Sequence, residues 1–241
     1  MILTLSRTAF AGGLLAVALL PLVPVFQDAP KPQSAPAAKP ATAPQEGMAP
    51  KTASADHGGH AMAGLKAGDE APDFLLKDLQ GQEVALSKLL AGNKLVVLEW
   101  FNPDCPVSRA YHMPDSVMGK LAASYADKGV AWLAINSGAA GKEGSGHERN
   151  VKAVADYGMK YPVLLDENGA VGKLYGARTT PHMFVIDKDG VVRYAGAIDD
   201  GGGKAKGETN YVKDAVDALL AGKDVAVKDA RPFGCGVKYA E

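Results

Sequence analysis

From Leu95 to Phe101 the chain is apolar at every position except Glu99. A run without polar alternation predicts a central strand covered on both faces rather than a half-solvated one. Shorter extended pieces precede it at Asp73–Leu76 and, after the Gln80-Gly81 turn, at Glu83–Leu86. Pro106 opens a helical stretch reaching about Asp127, since proline is tolerated at a first helical position where its missing N–H has no partner to lose. A strand is expected at Val130–Asn136, a helix at Glu148–Tyr157, a strand at Pro162–Leu165 and a short helix at Ala170–Tyr175. His182–Asp187 and Val191–Ala197 flank Asp187-Lys188-Asp189-Gly190, a hairpin signal. Asn210–Leu220 alternates with helical period and is closed by Gly222. Strands alternating with helices, then a hairpin and a helix, predict an α/β fold with a mixed sheet covered on both faces.

The first part of the chain reads differently. Met1–Phe26 joins Arg7 to the apolar run Ala9–Leu20, whose length suits a secretory signal peptide better than a membrane span and which is broken by Pro21 and Pro24. It is expected to be a signal peptide, with an uncleaved N-terminal anchor as the alternative. Residues 27–64 are rich in Ala and Pro, carry no aromatic residue, and are expected to form a disordered linker. One domain, residues 65–241 with a C-terminal tail from 223, follows. Export places it in a periplasmic or other extracytoplasmic compartment, tethered to a membrane if the leader is retained. The net charge of −1, with acid and base interspersed, gives no basic stripe for nucleic acid.

The candidate chemistry centres on the chain's two cysteines, Cys105 and Cys235. Cys105 stands between the apolar strand and Pro106, where unpaired helix N–H groups and the positive end of the helix dipole favour thiolate, the reactive form of sulfur. Cys235, in RPFGCGVKY, is a candidate resolving cysteine, and flanking Gly234 and Gly236 are expected to keep its backbone mobile. A permanent disulfide and an unrelated free thiol are the alternatives. Arg109 lies one turn after Cys105, where its charge is placed to lower the thiol pKa; a solvated helix arginine is the alternative. No metal, flavin or nicotinamide signature is present, and no cofactor is expected. His57, His60 and Met62 form a possible loose metal tract, read in preference as polar linker.

Three segments together resemble the thioredoxin superfamily, nearest its peroxiredoxin-like or redoxin branch of thiol-specific antioxidants. They are EWFNPDCP at Glu99–Pro106, TTPHMFVID at Thr179–Asp187, and the closing hairpin and helix. The resemblance implies a thioredoxin-like fold, a cis-proline at Pro181 facing Cys105, and a Thr180 backbone able to pair with an extended substrate. It implies a buried acid at Glu99, available to accept or return a proton; a carboxylate at the sheet edge or paired with a lysine is the alternative. An arginine near the site, Arg178, is a weaker match, and His182 follows the proline. The departures are Ser108 in place of a second nearby cysteine, and Asn102 and Leu98 where peroxiredoxins place a hydroxyl residue and a proline. Asn102 and Asp104 read as turn residues, and Trp100, Phe101 and Trp132 as core.

The expectation is an antioxidant thiol oxidoreductase. Its Cys105 attacks a peroxide or a protein disulfide, and an external thiol reductant, thioredoxin-like or a membrane dithiol donor, resets it. The alternatives are a thiol-disulfide oxidoreductase without peroxidase activity, a metal carrier, and a non-catalytic binding module of the same fold.

Overall fold

The computed structural model describes residues 64–113, 117–203 and 207–241. The expected leader, the expected linker through residue 63 and the His57, His60 and Met62 tract lie outside the described residues.

The strands are β1 (Leu75–Asp78), β2 (Glu83–Ala85), β3 (Leu95–Trp100), β4 (Val130–Asn136), β5 (Val163–Leu165), β6 (Thr179–Thr180), β7 (His182–Asp187), β8 (Val192–Gly196) and β9 (Cys235–Gly236). The helices are α1 (Leu86–Gly92), α2 (Pro106–His112), α3 (Val117–Tyr125), α4 (His147–Tyr157), α5 (Ala170–Tyr175) and α6 (Tyr211–Leu220). Seven strands form one mixed sheet in the order β2-β1-β5-β4-β3-β7-β8, and β6 and β9 form a separate two-stranded ribbon. β3 runs parallel to β4 and antiparallel to β7.

The uninterrupted apolar run at β3 has a direct cause. Leu95 and Val97 enter one core with Met118, Leu121, Trp132 and Val216. Val96, Leu98 and Trp100 enter the other with Leu86, Val171, Tyr175 and Phe184. Every β3 residue is buried, and each such apolar side chain stabilises the fold by about 1.5–3 kcal/mol. The hairpin is held where its sequence signalled it: Asp187 Oδ1 accepts the N–H groups of Asp189 and Val191, each at 3.0 Å.

Three expectations change. The single helix from Pro106 to Asp127 is two helices, α2 and α3, with a 3₁₀ turn at Ala126–Lys128. Met113, the residue before Pro114, takes φ −51° and ψ 151°, the extended form that a following proline imposes, and α2 stops there. Residues 86–92 fold as α1, unexpected from sequence because the segment buries only Leu86 and carries no capping side chain. The third change is the β6–β9 ribbon, since no period in RPFGCGVKY signals a strand.

Candidate active site

Cys105 lies at the end of the turn that leaves β3, as the N-cap residue of α2. The turn is made by Asn102, whose Oδ1 accepts the Asp104 N–H at 2.8 Å and whose Nδ2 donates to the Glu143 carbonyl at 2.9 Å. Asn102 is thereby committed to backbone contacts, in keeping with the turn-chemistry reading. Asp104 is gripped from α4: Arg149 Nε donates to Asp104 Oδ1 at 2.9 Å and Arg149 Nη2 at 2.6 Å. The Tyr157 hydroxyl donates to the Pro103 carbonyl at 2.8 Å. Sequence reading missed Arg149 and Tyr157 because they lie far along the chain and follow no motif.

The Thr180–Pro181 peptide is cis. It places the Thr180 carbonyl 3.1 Å from Cys105 Sγ, as acceptor for the thiol. The Ser108 N–H points at the same sulfur from inside the first turn of α2, at 3.4 Å. The next strand, β7, carries His182, whose ring packs on Phe184 at 4.7 Å and whose Nδ1 accepts the Arg178 N–H at 3.3 Å. Burial, with the Arg178 charge adding to it, pushes the His182 pKa down to about 3, so this histidine is a neutral packing residue.

Cys235 reaches Cys105 through the ribbon. Thr180 pairs with Cys235, and Thr179 with Gly236. The Val237 N–H donates to the Arg178 carbonyl at 3.1 Å. The expectation that Gly234 and Gly236 free the Cys235 backbone is corrected here. Gly234 has φ +126°, and a Cβ there would stand 2.1 Å from the Thr180 carbonyl oxygen. Glycine is required at 234 for close approach, and the cysteine is fixed in a short strand.

Both cysteines are free thiols, Cys105 buried and Cys235 half-buried. Their environments drive their pKa values apart. Burial of Cys105 opposes ionisation, but hydrogen bonds from the Cys235 thiol, the Ser108 N–H and the Thr180 side chain outweigh it. The Cys105 pKa is held below the ordinary cysteine value. Cys235 is pushed up to about 11, first by burial, then by its hydrogen bond to Cys105 and the charge there; the Val107 N–H and the Lys238 charge work in the other direction. The pair therefore ionises as a Cys105 thiolate accepting from a Cys235 thiol.

Two sequence candidates are not brought to the sulfur. Glu99 is wholly buried, but its partner is His112: Oε1 lies 2.9 Å from His112 Nε2. Tyr161 donates to Glu99 Oε2 at 3.4 Å, and His112 Nδ1 lies 2.7 Å from the Ser108 carbonyl. Burial pulls the His112 pKa down, yet the Glu99 charge at that distance and the hydrogen bond to the Ser108 carbonyl leave it raised overall. This buried pair ties β3 to the last turn of α2, and Glu99 is not among the groups acting on Cys105. Arg109 points to solvent and is likewise not among them. The N-cap position and the neighbouring thiol supply the stabilisation that its charge was expected to give. Arg178 contributes its backbone N–H and carbonyl to the site's frame, while its side chain faces solvent.

Residues 66–213 match the profile of the family described as Redoxin. The chain belongs to the redoxin family. The match ends at residue 213, so Cys235 lies outside the matched residues. This redoxin is 35% identical over 131 residues to "Thioredoxin-like protein YneN" of Bacillus subtilis (strain 168), covering 54% of this chain and 71% of that protein. It is 33% identical over 131 residues to "Thiol-disulfide oxidoreductase ResA" of Bacillus thuringiensis subsp. konkukian, covering 53% and 68%. Among solved structures, a hypothetical protein from Sinorhizobium meliloti 1021 superposes with a TM-score of 0.66 at 32% identity, covering 73% of this chain and 96% of that one. The protein is thus a redoxin of the thioredoxin superfamily with a thioredoxin-like α/β fold, and a thiol-dependent oxidoreductase. Among the described residues, no three His, Cys, Asp or Glu side chains are grouped to hold a metal ion, and no helix is long and apolar enough to cross a membrane.

Proposed function

We propose that this redoxin catalyses thiol-disulfide exchange through a dithiol assembled from opposite ends of the domain, with Cys105 as nucleophile and Cys235 as resolving thiol. The observation that carries the reading is the pairing of Cys235 with Thr180, whose carbonyl oxygen lies 3.1 Å from Cys105 Sγ beside cis-Pro181, and the pKa values of the two thiols are displaced in opposite directions.

The Cys105 thiolate attacks one sulfur of a substrate disulfide; that S–S bond breaks, and the departing thiolate takes a proton from solvent. Cys105 then carries a mixed disulfide and no charge. The two influences of Cys105 that raise the Cys235 pKa, a hydrogen bond and a negative charge, vanish in that step. Cys235 loses its proton more readily once its target has formed, and attacks the Cys105 sulfur. The substrate leaves as a second thiol, and the Cys105–Cys235 disulfide is reduced by an external dithiol donor. Thr180 and Pro181 align the sulfurs. The expected leader at residues 1–26 places this exchange outside the cytoplasm, with the domain secreted or tethered.

Peroxidase chemistry is the second reading, favoured by the 2% exposure of Cys105, which admits small oxidants most readily. In that case the thiolate attacks the peroxide O–O bond, becomes a sulfenic acid and releases water or alcohol, and Cys235 displaces water from the sulfenate. Against it, Asn102 fills the position where the resemblance leads one to look for a hydroxyl, and its side chain is bound to backbone.

The test is mass spectrometry of the reduced protein titrated separately with a small disulfide and with peroxide, with alkylation and a sulfenate trap. Exchange predicts an intramolecular Cys105–Cys235 disulfide with the small disulfide, a persistent mixed disulfide on Cys105 in Cys235→Ser, and no reaction in Cys105→Ser. Consumption of peroxide alone moves the assignment to the second reading. An inert Cys105 removes both.

A further inference from the structure

The tail does more than deliver a cysteine. In the cis-proline ribbon, Thr179 and Thr180 offer the backbone edge on which an extended substrate is expected to lie, and that edge is already occupied. Cys235 and Gly236 pair with it, the Val237 N–H takes the Arg178 carbonyl, and Gly234 presses on the Thr180 oxygen. Cys105 is 2% exposed beneath this strand.

Beyond the ribbon the strand is pinned at a second point. The Lys238 carbonyl accepts the Ala139 N–H at 2.8 Å. The Tyr239 ring lies on two glycines of the α5 region. A Cβ on Gly169 would stand 2.6 Å from the ring, and one on Gly172 would stand 2.5 Å from the phenol oxygen. The Tyr239 hydroxyl donates to the Ala177 carbonyl at 2.8 Å. Lys173 Nζ stands 5.7 Å from the ring centroid. Gly169 and Gly172 thus leave a slot that holds an aromatic side chain, four residues after the cysteine.

We propose that residues 234–239 are a built-in occupant of the peptide edge, anchored by Tyr239 in the Gly169–Gly172 slot, and that this occupant sets substrate class. With the tail seated, small disulfides reach Cys105 and extended peptide disulfides are excluded; an extended peptide must first displace the tail. The inference rests on the exchange activity proposed above and adds its selectivity. An incoming strand and the tail compete for the same carbonyl and N–H groups, because a β-edge pairs with one partner at a time. The peptide rate therefore scales with the fraction of molecules whose tail has lifted, whereas reaction with a small disulfide does not need that opening.

The test uses the full chain and two mixed disulfides of thionitrobenzoate, one with cysteamine and one with the cysteine of a long extended peptide. In both the Cys105 thiolate attacks the cysteine-side or cysteamine-side sulfur, the S–S bond breaks and coloured thionitrobenzoate leaves, so one absorbance change reports both. The quantity compared is the ratio of peptide rate to cysteamine rate. Any change in Cys105 ionisation cancels from it, since both reagents meet the same sulfur. Tyr239→Ala is expected to raise the ratio about tenfold or more, and Tyr239→Phe, which keeps the ring and loses the hydroxyl, to raise it less. A chain ending after Gly236 is expected to match Tyr239→Ala, which guards against a misfolded point variant. An unchanged or lower ratio in both Tyr239→Ala and the shortened chain, with thionitrobenzoate still released, overturns the proposal and leaves exchange standing. Release from neither reagent in the unaltered protein defeats exchange itself, and the selectivity proposal with it.

Discussion

Gly234 packs on the Thr180 carbonyl oxygen more closely than any side chain permits: a Cβ there would lie 2.1 Å from that atom, with φ at +126°. One glycine thus allows the tail strand to press on the cis-proline segment. Gly234→Ala is expected to lift Cys235 away from Cys105. The strain of forcing a non-glycine residue into that conformation is about 1–3 kcal/mol, and the backbone contact adds to it. The check is alkylation of the reduced protein, in which Cys105 becomes more accessible to the reagent.

The two thiols are expected to titrate apart. pH-dependent alkylation followed by mass spectrometry should give Cys105 a midpoint below the ordinary cysteine value and Cys235 one near 11. Cys235→Ala moves the Cys105 midpoint up, and Cys105→Ser moves the Cys235 midpoint down. The signs for stability follow. The depressed Cys105 pKa contributes stability that is present above the unfolded value and lost as pH falls through the folded one. The raised Cys235 pKa contributes stability that is present below the unfolded value and lost as pH rises toward 11. Equal midpoints for both sulfurs contradict the assignment of nucleophile and resolving thiol.

Removing one partner of the buried Glu99–His112 pair leaves an uncompensated polar group inside the core. Glu99→Ala is expected to cost about 3–5 kcal/mol in denaturant unfolding, and the double variant with both residues replaced by glutamine less than the sum of the singles. Because His112 is raised, its contribution is complete below the unfolded value of 6.5 and declines as pH rises through the folded one. That decline should be absent in His112→Asn. Equal stability of Glu99→Ala and the unaltered protein would contradict the pairing.

Arg149 is expected to matter more for reactivity than for stability. Its side chain is 30% exposed and that of its partner Asp104 33%, so solvent screening limits the pair to about 1 kcal/mol or less. The same contact holds the turn that positions Cys105. In Arg149→Lys, which cannot reproduce the two N–H donors given to Asp104, the pH-independent alkylation rate of the Cys105 thiolate should change while the unfolding midpoint moves little. A rate unchanged after correction for ionisation would make Arg149 a surface residue only.

Much of this architecture was legible along the chain because it follows from local pattern. β3, β4, α5 and the hairpin at Asp187–Gly190 coincide closely with their sequence signals, since burial on both faces and turn chemistry leave short-range marks. The end of α2 was not read, although Pro114 marks it, because α3 resumes a helical pattern at once. The placement of Cys105 at a helix start, which makes it the candidate nucleophile, was legible from strand, turn and proline together. Its environment was only partly legible. Arg109, adjacent on the same helix, faces solvent, whereas Arg149 and Tyr157, distant in sequence, hold the turn. Glu99 was readable as buried, but not as His112's partner, because the pairing depends on where α2 crosses β3.

The sequence alone determined the alternation of elements, the apolar centre of the sheet and the placement of Cys105 at a helix start. Those are consequences of side-chain period, burial and helix-terminus chemistry, all confined to a few neighbouring residues. Only the tertiary structure decided that Cys235 meets Cys105. Pairing of β9 with β6 joins segments 55 residues apart between Thr180 and Cys235, and it depends on a glycine fitting against a carbonyl and a tyrosine fitting over two other glycines. Such fits are set by backbones that approach in space, and no period along the chain encodes them.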